Sequence, residues 1–289
     1  MIIIRLMGGM GNQMFQYAMG RSLEIKGHGP VFYDDSSYTD DKFRNYALDS
    51  FCVTVKMASQ SELDKYRRIR MIFYKIRQYV SISHLLSYQR EKRDYECDQY
   101  RTRGYLEGYW QNENYFLSIK DALRKELVYS GQLTEIQQEI IRKMLQENSV
   151  AIHVRRGDYL SAKNKETYMC LPFSYYQKAI SYLEERIENL HYYVFSDDIP
   201  WCKEKFTEYK NLTYIDESIS NSAAVDFELM RNCKHFIIAN STFSWWPAWL
   251  AANEEKKVIA PSQWFFDEKD NEGVRQGVLN KKWICIDVS

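Results

Sequence analysis

Two successive arginines, Arg155 and Arg156, follow a short apolar run that ends at Val154. Guanidinium groups at a strand end suit phosphate, because the planar fork meets two oxygens of one anion at once. A second stretch, Asn240-Ser241-Thr242-Phe243-Ser244, places hydroxyls where another apolar run gives way to helical spacing. The N–H groups at a helix start favour an anion as well. Arg155, Arg156, Ser241, Thr242, Phe243 and Ser244 together make a diphosphate site without a Walker loop or a bound metal. The arginines also have a plainer reading, Arg155 with Asp158 as an ion pair. His153 alternates with Arg155 and shares its face of the strand. Flanked by Ile152 and Val154, it reads either as a hydrogen-bonded core residue or as a catalyst. Asp158 is a candidate base, or the group that orients an arginine. Asp34-Asp35 and Asp197-Asp198 both follow apolar runs, yet neither has a histidine or third carboxylate nearby. No metal site is expected.

These residues need elements to hold them. Ile2 to Leu6 reads as a buried strand, followed by Gly8, Gly9 and Gly11, a helix over Asn12 to Lys26, and a strand from Pro30. From Ser59 to Arg103 the pattern is helical, polar and basic. Tyr105 to Trp110 is a predicted strand, and helices are predicted over Tyr115–Tyr129 and Leu133–Glu147. Beyond Ser149 the chain alternates strand and helix throughout. That alternation means a parallel sheet covered on both faces, with ligands expected beyond the carboxyl ends of its strands. The class is α/β, with the domain boundary placed between 147 and 148.

Length and charge narrow the functions. The 289 residues suffice for two domains, and 15% aromatic content with zero net charge excludes disorder. Thirty-nine basic residues balance 39 acidic ones, which argues against coating nucleic acid through its phosphates. No apolar run approaches the roughly 18 residues of a membrane helix. The apolar start is too short for a leader. Six scattered cysteines without CxxC read as reduced thiols, so a cytoplasmic protein is expected.

His153-Val154-Arg155-Arg156-Gly157-Asp158-Tyr159 resembles the HxRRxDY signature of the α1,2-fucosyltransferases, with related versions in α1,6- and protein O-fucosyltransferases. Gly8-Gly9-Met10-Gly11-Asn12-Gln13-Met14-Phe15-Gln16-Tyr17-Ala18 resembles the GGxGNQxFQYA start of the bacterial members. Gly108-Tyr109-Trp110-Gln111, Phe195-Ser196-Asp197-Asp198 and Ala239-Asn240-Ser241-Thr242-Phe243-Ser244-Trp245-Trp246 resemble further blocks in the same order. The likeness spans roughly Ile2 to Trp264.

The resemblance implies a GT-B-type fold, two Rossmann-like domains facing a central cleft. Residues 1–147 would bind the acceptor and 148–289 the GDP-fucose. The implied reaction is an inverting, metal-independent transfer of L-fucose to the 2-hydroxyl of a terminal β-galactoside, on an oligosaccharide or lipid-linked glycan. It matches Arg155 to the residue on the β-phosphate and leaving oxygen, and Arg156 and His153 to neighbours of the nucleotide. Asp226 and Ser241–Ser244 match stretches that hold guanine and phosphates. Asn12, Gln13 and the Trp110-Gln111 pair are the expected acceptor contacts. The α1,3 and α1,6 linkages stay open, as do the catalytic base and the oligomeric state.

Three rival readings are weaker. Gly9-Met10-Gly11-Asn12-Gln13-Met14 breaks the dinucleotide GxGxxG at its third glycine, which speaks against an oxidoreductase. Arg156-Gly157-Asp158 spells an adhesion tripeptide, but directly after a buried strand, which disfavours a binding module. The basic amphipathic stretch from Lys65 to Arg77 reads either as a solvated helix face or as a peripheral contact with an anionic inner-membrane face.

Overall fold

The computed structural model describes residues 1–39, 41, 43–66, 88–90, 104–162 and 164–288. Two compact units are present, Met1–Leu127 and Val128–Ser289. Among the described residues no helix is long and apolar enough to cross a membrane.

The first unit is built on β1 (Ile2–Arg5), whose three isoleucines are fully buried. Beside it lie β2 (Val31–Asp34), β3 (Tyr88–Arg90) and β4 (Gly104–Glu107), in the order β2-β1-β4-β3, all parallel. Helix α1 (Met10–Ile25) joins β1 to β2 and buries Met14, Phe15, Tyr17 and Ala18. The turn into it needs Gly8, at φ 80°, where a Cβ would sit 2.6 Å from Asn12 Nδ2. A short α2 (Lys120–Glu126) closes the unit. The chain leaves β1 for β2 on one side, and β4 pairs with β1 on the other. Strand order therefore reverses between β1 and β4, the arrangement that opens a crevice at the carboxyl ends.

The second unit begins with α3 (Glu135–Gln146), started by a capping box in which Thr134 and Gln137 satisfy each other's backbone N–H. Then follow β5 (Asn148–Val154), α4 (Phe173–Glu184), β6 (Leu190–Ser196), α5 (Ile199–Lys205), β7 (Leu212–Ile215), α6 (Ala223–Arg231), β8 (His235–Ile237), α7 (Thr242–Leu250), β9 (Val258–Pro261), α8 (Glu268–Gly273) and β10 (Ile284–Ile286). The sheet is all parallel, in the order β10-β9-β8-β5-β6-β7. Alternate residues of β5 feed two cores, as a strand buried on both faces must. Val150, Ile152 and Val154 pack with Tyr175, Tyr176 and Ile180 of α4. Ala151 packs with Met144, Val225, Leu229 and Ala248 from α3, α6 and α7. Here the order reverses between β5 and β8.

The α/β class and the two parallel-sheet units agree with the sequence reading. The division between units falls about twenty residues earlier than 147–148, at 127–128. The reason is packing: Ile140 and Met144 of α3 belong to the core of the second sheet. Within the stretch expected to be helical, residues 88–90 instead form β3, paired with β4. The basic stretch 65–77 lies, beyond Tyr66, outside the described residues. The helix predicted over Tyr115–Tyr129 shortens to α2, preceded by two 3₁₀ turns.

Candidate active site

Parallel register decides what meets at the end of β5. Val154 is level with Ser196 on β6, so the residues that follow each strand, Arg155-Arg156 and Asp197-Asp198, come together. Arg155 is held at both outer nitrogens. Its Nη2 donates to Asp158 Oδ1 at 2.7 Å and its Nη1 pairs with Asp197 Oδ2 at 2.8 Å. Arg156 donates from Nε to Asp198 Oδ2 at 3.0 Å, and its guanidinium lies 4.2 Å from the centre of the Trp201 ring. Asp198 also caps α5, accepting from the Trp201 N–H at 3.1 Å. The turn between the arginines and Asp158 has no room for a side chain at Gly157, where a Cβ would meet Asp197 Oδ2 at 2.7 Å. The acidic pair considered for a metal is thus engaged with the two cations. Asp34 is engaged elsewhere, accepting from the Tyr105 hydroxyl at 2.5 Å and the Ser36 N–H at 2.9 Å.

Besides Trp264 Nε1, three buried side-chain atoms of this unit have no hydrogen-bond partner among the described residues: His153 Nδ1, Asp226 Oδ1 and Asn240 Oδ1. All three stand at carboxyl ends of strands or in the first turn of a helix following one. His153, the last residue but one of β5, has its ring 5.2 Å from that of Phe243, at the start of α7. Asp226 lies in the first turn of α6, where burial raises its carboxyl above the usual range and the Ser220 hydroxyl opposes the rise. Asn240 follows β8, and its amide N–H groups bridge the carbonyls of Met169 and Trp264 at 2.7 and 2.9 Å. Tyr159 donates to the Asn240 carbonyl at 2.7 Å, tying the turn after β5 to the one after β8. Buried polar atoms without a partner among the described residues call for one from elsewhere, such as a bound molecule or water.

The sequence-predicted residues of this unit divide accordingly. Arg155, Arg156, His153, Asp158 and Phe243 gather at the β5 and β8 ends. Ser241 caps α7, accepting from the Phe243 N–H at 3.3 Å, and Thr242 beside it is partly exposed. Ser244 is a correction: it is fully buried, and its hydroxyl donates to the Ser241 carbonyl of its own helix turn. His153 is uncharged near neutrality. Burial, with Arg155 adding to it, pushes its imidazole down to about 3.

The first unit has a smaller constellation at its own crossover. Gln111, which follows β4, donates from Nε2 to Asn12 Oδ1 in the first turn of α1 at 2.8 Å. Both are partly exposed. Gln13 and Trp110, expected beside them as acceptor contacts, are fully buried. The Gln13 amide is consumed by the chain, donating to the Gly8 and Asn45 carbonyls and accepting from the Ala47 N–H. Trp110 packs edge-on against Tyr115 with a left-handed backbone, φ 56°. For a residue with a bulky side chain that conformation costs about 1–3 kcal/mol, and such outliers cluster at ligand sites.

The profile of Glycosyl transferase family 11 matches residues 1–287. The chain belongs to this family. It is similar to an alpha-1,2-colitosyltransferase of Escherichia coli, 34% identical, with 99% of each chain covered. It is also 32% identical to the O-antigen biosynthesis glycosyltransferase WbnK of Escherichia coli, over 90% of this chain and 93% of that one. The fucosyltransferase NodZ from Bradyrhizobium, a solved structure, aligns over 85% of this chain and 91% of its own, at 14% identity and a TM-score of 0.48.

Asp197 and Asp198 of this family 11 glycosyltransferase were legible as acidic residues but not as partners of the arginines. The signal was available in the adjacency of β5 and β6, which puts equal positions after two parallel strands side by side. Asn240 and Tyr159 carried no separate signal, because their work is done through backbone carbonyls.

The buried His153 makes stability depend on pH. The unfolded chain takes up this proton below about 6.5, the folded chain only near 3. The neutral ring's contribution is therefore whole above about 6.5 and is lost as pH falls towards 3. Tm should fall across that window, and less steeply in His153→Leu at constant ionic strength. Equal slopes for the two proteins would show that the folded state protonates His153 freely.

Proposed function

We propose that this glycosyltransferase moves L-fucose from GDP-fucose to the 2-hydroxyl of a terminal β-galactoside, with inversion at the anomeric carbon. The observation that carries the reading is the pair of guanidiniums at the crossover end of β5, together with three buried polar atoms of the same unit that have no partner among the described residues. A nucleoside diphosphate supplies what each group lacks. The diphosphate takes Arg155, Arg156 and the start of α7. The guanine edge takes Asp226. The relatives named for α1,2 transfer, of colitose in one case and of fucose to galactosides in others, support the linkage and the acceptor.

In the reaction the bond between the anomeric carbon and the β-phosphate oxygen breaks, and its electron pair stays on the departing GDP. The acceptor's 2-oxygen forms the new bond on the opposite face and gives up its proton, which leaves through solvent water. Negative charge grows at the leaving oxygen while the sugar becomes cationic. A cation already fixed at that oxygen lowers the barrier, because it needs no reorganisation when the charge arrives. Arg155 has this task. Asp158 and Asp197, which grip its outer nitrogens, orient it, and we assign Asp158 that role rather than the role of base. Asn12 and Gln111 belong to the acceptor side in this reading, in the first unit.

The test is incubation with GDP-fucose and a panel of β-galactosides, with the new linkage read by NMR. A product linked elsewhere than O2 would overturn the assignment. Because Asp197 and Asp198 are paired with arginines, the reaction should keep its rate in excess EDTA. A large loss that Mg²⁺ or Mn²⁺ restores would show that these carboxylates turn to a metal when the donor binds. A second donor follows from the 34% identical relative: colitose is L-fucose without its 3-hydroxyl. A site built to hydrogen-bond that hydroxyl would prefer the fucosyl donor strongly, by about 10² or more. Competition between GDP-fucose and its 3-deoxy analogue decides between them.

A further inference from the structure

The crossover of the first unit is built to hold one residue in the open. Gln16 donates to the Gly108 carbonyl at 3.1 Å, fixing the chain just past β4. Two residues on, Trp110 sinks its ring against Tyr115 in the left-handed conformation, and its carbonyl accepts the Asn112 N–H at 2.8 Å. Tyr109 lies between these two anchors and remains 43% exposed. A single exposed tyrosine is ordinary on a protein surface. This one is pinned on both sides, at a crevice where open parallel sheets take ligands. The Gln111–Asn12 amide pair follows two residues on along the chain. On the β1 side Tyr38 donates to the Gly8 carbonyl at 3.0 Å and lies within electrostatic reach of both Tyr109 and Arg44.

An exposed ring beside partly exposed amides fits a pyranose, which offers a C–H face to the one and hydroxyls to the other. We propose that Tyr109 is the platform on which the acceptor sugar stacks, with Trp110 as the buried anchor that aims it. The proposal rests on the acceptor reading given above. It reassigns the aromatic contact expected of Trp110 to the residue before it, because of the two only Tyr109 is exposed.

The test compares Tyr109→Ala and Tyr109→Phe with wild type in the full-length enzyme, at saturating donor. Tyr109→Ala should raise the acceptor KM about 3- to 10-fold, the range of one aromatic contact. Its kcat should stay within about twofold, with GDP affinity by calorimetry and Tm unchanged. Tyr109→Phe keeps the face and should keep the KM. An unchanged KM in Tyr109→Ala would overturn the proposal, and so would an equal loss in Tyr109→Phe, which would assign binding to the hydroxyl. A parallel fall in GDP affinity or Tm would make Tyr109 structural and overturn it too. If wild type transfers to a sugar other than galactose, the galactoside reading fails by itself. The comparison is then made on that sugar.

Discussion

Arg155→Ala should fold as wild type does, bind GDP only modestly worse, and lose about 10²–10³ in kcat. Folding is expected to survive because the guanidinium packs in no core; it spans the carboxylates of Asp158 and Asp197 at the end of β5. Removing it leaves two partly exposed carboxylates that water can solvate. Catalysis is where the loss concentrates. The ground-state diphosphate is shared among Arg155, Arg156 and the helix start, whereas the charge that appears as the glycosidic bond breaks is borne by a single oxygen. A contact that strengthens in the transition state shows in kcat rather than in binding. Arg155→Lys should recover little. One ammonium cannot satisfy Asp158, Asp197 and a phosphate oxygen in the geometry of a planar fork. Steady-state kinetics on both variants, with GDP calorimetry and melting curves, make the check. A folded Arg155→Ala enzyme that retains more than about a tenth of wild-type kcat would reduce Arg155 to a structural ion-pair residue.

What the sequence displayed of this site, and what it hid, follows from the geometry of strands. Val150, Ile152 and Val154 on one face, with Ala151 on the other, announce a strand buried on both faces, and such a strand delivers Arg155 to a sheet end without further information. Which strand lies alongside is not local. Asp197-Asp198 reads from the sequence as an acidic pair considered for a metal, and only the level pairing of β6 with β5 makes it the partner of the arginines. Residue type misled at Trp110 and Gln13. Tryptophan and glutamine are both common sugar contacts, but burial is a property of the packed unit, and the left-handed turn at Trp110 is invisible in composition. The same limit explains β3: a polar stretch with helical spacing yielded a strand at 88–90 because β4 offered it an edge. The unit boundary moved for an equally non-local reason, since α3 reads as a free amphipathic helix until Ile140 and Met144 find the second sheet.

The base of the nucleotide should be chosen by Asp226. Its Oδ1 is buried without a partner among the described residues, and burial already raises the carboxyl above its usual range. An ionised carboxylate is acceptor-only, and guanine presents two adjacent donors, N1–H and the exocyclic amine. Adenine and uracil do not present that pair. We therefore expect GDP to bind at least about tenfold more tightly than ADP or UDP, since a hydrogen bond to a charged group contributes about 1.5–3 kcal/mol. The carboxylate must be ionised to accept both bonds, so bound GDP should lower the pKa that burial has raised. The sign follows: as pH falls through the raised pKa of the free enzyme, protonation of Asp226 weakens GDP binding, in addition to any loss from protonation of the terminal phosphate, whose second pKa is about 6. Asp226→Asn turns one acceptor into a donor facing the guanine amine. That variant should bind GDP about 10- to 100-fold more weakly, narrow the gap to ADP, and show a shallower acidic decline in affinity. Calorimetry of the three diphosphates against both proteins, repeated across the acidic range, measures all of these. Equal affinities in wild type, or an acidic decline as steep in Asp226→Asn as in wild type, would take the guanine contact away from this residue.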